Sequence, residues 1–185
     1  MNRQKETPRI RSSAGATMTM SMSAYLRKYS LISLVGIVIA IIQSTLFGII
    51  PFFGVTPDMI FMFALSIAFL DGWIPGCIAA IAGGALSDVL GADGATAMIL
   101  LYFATVVATV LVTDGRLAKN FPSFAITCVS ACMLKAIYEV FYISTTSLDY
   151  SVIDLFGKTI VPEFAATAVC AIPIYFVTKK IINSF

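Results

Sequence analysis

Lys135 and Glu139 stand four residues apart inside the apolar run 124–143, with Tyr138 and Tyr142 beside them. At that spacing both charges lie on one helical face, although Lys before Glu is the weaker order for such a pair. A lone ammonium near the middle of a membrane costs about 2.5–3.5 kcal/mol on insertion scales, so Lys135 requires further partners. Glu163, at the start of a later apolar run, is a cross-helix candidate. Asp88 ends another apolar run and is the fourth member of the set. Counted along their runs, Asp88, Lys135, Glu139 and Glu163 map to the same half of a bundle. Two chemistries are open to such a cluster: structural ion pairing, or a pocket for a ligand or ion.

Other chemistries lack their residues. The chain has no histidine, and with it go the commonest metal ligand and the commonest general base. Cys77, Cys128, Cys132 and Cys170 all fall inside apolar runs and form no C-x-x-C, so they are expected to pack as small hydrophobes. No nucleophile–base pair, phosphate-binding loop or metal cluster is visible. The expectation is a protein that is not an enzyme, with no cofactor, metal or nucleic-acid partner.

Rows of small residues form the second pattern. Gly72, Gly76, Ala80, Gly84 and Asp88 recur every four residues, flanked by Ala79, Gly83, Ser87 and Gly91. Gly36, Ala40 and Ser44, with Gln43 nearby, repeat the spacing more weakly. Small residues at i, i+4 let helix backbones approach closely in membranes. They suit either a helix central to its own bundle or a face that docks a partner's helix. Asp88 has two readings of its own: a bond to the glycine-rich turn that follows it, or a polar contact holding neighbouring helices in register. Thr56-Pro57-Asp58 reads as a helix start, with a hydroxyl cap, proline in the first turn and an acid favoured by the helix dipole.

The elements that must position these residues follow from composition. Of 185 residues, 59% are hydrophobic and 12% charged, and the mean hydropathy is +0.94. Soluble domains carry roughly twice that share of charge, and disordered chains are poor in apolar residues. A polytopic membrane protein is the remaining class. Apolar runs at 31–50, 59–70, 74–86, 95–112, 124–143 and 160–177 are separated by Pro51 and Pro57, Asp71-Gly72, the 91–94 turn, Asp114-Gly115 and the stretch 144–157. Backbone groups in lipid must be satisfied internally, so the expected fold is an all-α bundle of six transmembrane helices.

Residues 1–30 read as a flexible basic tail with Arg3, Lys5, Arg9, Arg11, Arg27 and Lys28. Met18, Met20 and Met22 leave a later start codon open. Residues 31–180 are the membrane domain and 181–185 a short end. With the amino terminus inside, Arg116, Lys119, Lys179 and Lys180 join the six tail cations on one side. Lys158 is the one basic residue in an outer loop. This asymmetry predicts that both termini are cytoplasmic.

The second and third segments are short. Residues 57–70 and 74–90 reach roughly 21 and 26 Å, less than a ~30 Å hydrocarbon core. They either span thinned lipid or form a re-entrant hairpin. No internal repeat is evident, since Pro57-Asp58 and Pro162-Glu163 share only a dipeptide.

The run Gln43-Ser44, Pro57-Asp58-Met59, Asp71-Gly72, Gly76, Gly83-Gly84-Ala85-Leu86-Ser87-Asp88 and Gly94 resembles the first half of the rod shape-determining MreD family. Pro162-Glu163, the segment Ala171-Ile172-Pro173-Ile174-Tyr175 and Lys179-Lys180 are similar to the family's last helix, more loosely. The resemblance spans about residues 31–180. It implies a non-enzymatic subunit of the cell-elongation machinery that binds membrane-anchored MreC. MreB filaments, the RodA glycan polymerase and a penicillin-binding transpeptidase would complete the complex. The third or first helix would supply the docking face through its small residues.

A second reading belongs to another class. The MreD family is similar in architecture to the substrate-binding subunits of energy-coupling factor vitamin transporters. There Lys135, Glu139 and Asp88 would line an outward pocket, with Trp73, Tyr102, Tyr138 and Tyr142 as its aromatic candidates. The Gly36–Ala40 row would then meet a coupling subunit. A third reading, an ion or proton carrier, lacks a relay of acids.

Overall fold

The computed structural model describes residues 22–46, 54–90, 98–113, 118–146 and 156–185. The basic residues before Met22, the 91–94 turn and Asp114 to Arg116 lie outside them, as does the side chain of Tyr142. Every regular element described is helical. These are α1 (Met22–Ile41), continued by a π-helical turn Ile42–Leu46, α2 (Met59–Asp71), α3 (Trp73–Leu90), α4 (Met98–Thr113), α5 (Phe121–Thr146) and α6 (Val161–Ile182), the last preceded by a π-helical turn Phe156–Ile160. Four stretches, Met22–Thr45, Trp73–Leu90, Phe121–Phe141 and Phe156–Ile182, are long and apolar enough to cross a membrane. The shorter α2 and α4 are apolar as well.

The centre of the bundle is α2, not the glycine-rich α3. Every residue of α2 from Ile60 to Phe69 is buried, and α1, α3, α4, α5 and α6 all pack on it. A helix that is apolar all round has no polar face to show and goes to the interior. Its short length follows from this position, because neighbouring helices rather than lipid surround it.

Both ends of α2 are held by polar groups. At its start the Asp58 carboxylate accepts the Phe61 N–H at 3.1 Å, satisfying one of the donors a helix start leaves open. At its end Gly72 takes φ +106°, a conformation that favours glycine, and donates its N–H to the Ala68 carbonyl at 3.2 Å. Gly72 is therefore the turn between α2 and α3 and lies outside the helical row to which its spacing assigns it. Lys119 donates to the Leu70 carbonyl at 2.9 Å, a cation where the helix dipole favours one.

The same end of α2 holds the first described turns of α1. Asp71 forms an ion pair with Lys28 and accepts a hydrogen bond from the Tyr29 hydroxyl at 2.9 Å. Lys28 is buried, and α1 starts at Met22, ahead of the apolar run. Residues 22–30 thus belong to the helical bundle rather than to a flexible tail. At its other end α1 is pinned by Gln43, whose Oε1 accepts the Ile60 N–H at 2.9 Å.

The remaining small residues set the helix spacing. A Cβ on Gly76 would lie 2.5 Å from the Ala68 side chain and 2.6 Å from its Cα, and one on Gly84 2.5 Å from the Ile99 Cα. Ala80, between them, is fully buried. This row brings α3 onto α2 and the start of α4 at backbone contact.

Candidate functional site

At the end of the bundle where α2 begins, three carboxylates converge on one ammonium. Lys135 Nζ lies 2.6 Å from Glu163 Oε1, 2.8 Å from Asp58 Oδ2 and 3.3 Å from Glu139 Oε1. Its side chain is 9% exposed, against 7% for Asp58, 18% for Glu139 and 20% for Glu163. Glu139, one turn along the same helix, makes the longest of the three contacts, as the unfavourable Lys-to-Glu order predicts. Asp58 and Glu163 each follow a proline; Asp58 caps the start of α2, near its unpaired N–H groups and the positive end of its dipole, whereas Glu163 follows the π-helical turn that leads into α6.

Asp58 anchors a wider network. The Tyr102 hydroxyl, fully buried on α4, lies 2.6 Å from both Asp58 oxygens. Ser87 of α3 is 3.0 Å from the same hydroxyl. With the tyrosine proton directed at the carboxylate, Ser87 acts as the donor to Tyr102. The Asp58 N–H donates to Thr167 Oγ1 of α6 at 3.0 Å. One residue thus links α2, α4, α5 and α6, its carboxylate reaching Tyr102 and Lys135 and its N–H reaching Thr167, with Ser87 adding α3.

Asp88 does not join this cluster. Its Oδ1 accepts the Met98 N–H at 3.1 Å. The α3 row that brings Gly84 against Ile99 carries Asp88, one turn later, to the open donors at the start of α4. Its second oxygen, Oδ2, is buried and has no hydrogen-bond partner among the described residues. The other three members of the expected set meet as the sequence suggests.

Sequence reasoning missed Asp58 as a partner of Lys135, and named Tyr102 only as an aromatic candidate for a pocket, not as a hydrogen-bond partner of Asp58. Asp58 looked sufficient as a helix cap, and it performs that role while also pairing with Lys135. A signal was present in the two Pro-acid dipeptides, which lie at the same bundle end once the segments are alternated.

The ion pairs of the cluster tie α5 to the starts of α2 and α6. Its cation is a lysine side chain, and the space beside it, bounded by Cys132, Glu139, Glu163, Phe164 and Thr167, has a volume of about 20 Å³. That admits roughly one water molecule. Among the cysteines, Cys128 and Cys132 are buried in the apolar core, with Cys128 Sγ 3.4 Å from Met62 Sδ. Breaking a buried pair costs about 3–5 kcal/mol because it strands a charge.

The larger space lies elsewhere. A cavity of about 440 Å³ opens between α1 and α3, with α2 as its floor, and Ile32, Ile37, Phe63, Ile67, Ile78 and Ala82 are among its apolar walls. It exists because α1 packs on α2 and α6 rather than on α3. On α1, Gly36 faces the Phe63 ring, 3.1 Å from where a Cβ would stand, and Ala40 is buried. Both small-residue rows therefore serve contacts within the chain.

Comparison with protein-family models, curated proteins and solved structures finds no match to this chain.

Proposed function

We propose that this chain is a non-enzymatic membrane subunit of the MreD type, which docks MreC and helps position peptidoglycan synthesis within the cell-elongation complex. In this reading all six helices cross the plasma membrane, α2 and α4 within the shelter of the others. Lys28, Lys119, Lys179 and Lys180 mark the cytoplasmic side, and both termini lie there.

The observation that carries the proposal is the closure of the polar site. Lys135 is engaged by Asp58, Glu139 and Glu163 at once, and only about 20 Å³ of space adjoins them. A small-molecule site needs a concave pocket of some hundreds of Å³ with converging polar groups. The space of that size lies against α1 and α3 and is apolar. A rigid bundle with apolar flanks suits a partner embedded in the same membrane. The pocket required of a vitamin-capture subunit lacks Asp88, which caps α4 instead.

With Gly76, Ala80 and Gly84 engaged inside the bundle, the partner's helix would meet the outward faces of α1 or α3. Leu34, Val38 and Ile41 on α1 and Ile81 on α3 are exposed there. The test is depletion in the native host. Loss of rod shape, restored by the wild-type chain, supports the assignment. Normal shape together with a vitamin requirement would replace it with the transporter reading.

A further inference from the structure

We propose that Glu139 holds a proton at neutral pH, which makes the Lys135 cluster a proton-binding site whose discharge loosens α5 from α6. Asp58, Glu139 and Glu163 surround a single ammonium, so three ionised acids would leave two negative charges uncompensated in a mostly buried site. Uncompensated charge is costly to bury, and such a group neutralises instead. Among the described residues, two other charged groups lie at this end of the bundle. Lys158 is exposed on the turn before α6, where water and salt screen it. Asp88 caps the start of α4 and adds only negative charge. The balance is the same whatever partners the chain has.

Contact geometry selects the acid. Asp58 accepts from the Phe61 N–H at 3.1 Å and the Tyr102 hydroxyl at 2.6 Å, and lies 2.8 Å from Lys135 Nζ. Those are the bonds of a carboxylate. Glu163 lies 2.6 Å from the same Nζ, the short contact of a charge-assisted bond. Glu139 stands at 3.3 Å, beyond the usual 2.7–3.2 Å of an N–H···O bond. Glu139 and Glu163 therefore meet at one ammonium as close neighbours, with Glu139 the less firmly held. Two carboxyl groups that share a site in this way hold a proton between them.

The proton has a place to point. The space of about 20 Å³ beside the cluster is bounded by both Glu139 and Glu163, with Cys132 and Thr167, and admits roughly one water molecule. A water there would accept from protonated Glu139 and donate to Glu163, closing a hydrogen-bonded bridge between α5 and α6. Loss of the proton turns that bridge into two like charges facing each other across the same boundary. The Glu139 side chain keeps 18% of its surface exposed, which gives the proton a route to water at this end of the bundle.

The test is infrared spectroscopy of the full-length protein in a maltoside detergent, which has no carbonyl group of its own, with glutamate carboxyls labelled by carbon-13. The chain's glutamates are Glu6, Glu139 and Glu163, so a label-shifted band reports very few groups. A protonated-carboxyl band that moves with the label is expected at neutral pH in the wild type and absent from Glu139→Gln. Thermal unfolding supplies the second readout. From about pH 6 to about pH 9, above the ~4.3 at which an exposed glutamate releases its proton, the native state keeps a proton that the unfolded chain has lost. Wild-type stability therefore falls as pH rises, and falls more steeply than that of Glu139→Gln, in which every other titrating group is retained. A wild type with no label-sensitive protonated band would overturn the proposal. A band that survives in Glu139→Gln would place the proton on Glu163 and overturn it as well. Equal pH slopes in the two chains would do the same. So would a Glu139→Gln chain that fails to fold, because glutamine reproduces the size and neutrality of the protonated acid.

Discussion

Asp58 and Glu163, 105 positions apart in the chain, close on the same ammonium: Lys135 Nζ lies 2.8 Å from the first and 2.6 Å from the second. Each acid follows a proline at the opening of a helix, so two like dipeptides converge on one buried cation. The result ties α2 and α6 to α5 at one end of the bundle. At the other end, Lys28 and Lys119 hold the close of α2. The central helix is thus fixed by lysines at both ends.

Replacing Lys135 with methionine leaves Asp58, Glu139 and Glu163 without their cation. A loss of about 3–5 kcal/mol is expected from stranding buried charge. Glu139→Gln, which removes the longest of the three contacts, should cost about 1 kcal/mol or less. Thermal unfolding in mild detergent measures both, and equal losses would show that the three contacts are not ranked as the distances imply.

Tyr102→Phe deletes the hydroxyl that joins Asp58 to Ser87 without changing the ring that packs against Phe61. The expected cost is about 1–3 kcal/mol, the penalty for leaving a buried acceptor short of a partner. Ser87→Ala should cost less, since Tyr102 retains Asp58. The same unfolding measurement checks the order.

Gly76→Leu and Gly84→Leu are expected to prevent assembly of the bundle itself, because even a Cβ meets helix backbone at 2.6 and 2.5 Å. Yield and monodisperse elution should collapse for both. A well-folded Gly84→Leu would show that α3 and α4 are not in backbone contact. These glycines are accordingly poor probes of partner binding, whereas the outward Ile81 is a suitable one.

Lys28→Met and Asp71→Asn, alone and combined, form a double-mutant cycle across the α1–α2 junction. A coupling of about 0.5–3 kcal/mol is expected for a contacting pair. Coupling near zero would place α1 outside the folded unit at its start.

The apolar runs identified the helices because a membrane fixes both their length and their composition. The centrality of α2 was missed, because the glycine row pointed to α3 as the central helix, although the stretch from Ile60 to Phe69 has Ser66 as its only polar residue. Ser66 itself bonds back to the Met62 carbonyl at 2.8 Å. The start of α1 was not legible, since Lys28 and Tyr29 are drawn into the bundle by Asp71, a partner 43 residues away from the lysine. Local hydropathy carries no record of such a pairing. Asp88 was misplaced for a related reason: spacing gives the helical face but not which neighbour that face meets. The Lys135 cluster was half visible because a buried ammonium demands acids, while the choice of Asp58 depended on how α2 and α5 pack.

The most direct test of the dock assignment is affinity capture from native membranes in mild detergent, with a tag at the carboxyl terminus and partners read by mass spectrometry. The account predicts recovery of MreC together with RodA and a penicillin-binding transpeptidase. Recovery of paired ATPases with a membrane coupling subunit, and no MreC, would contradict it.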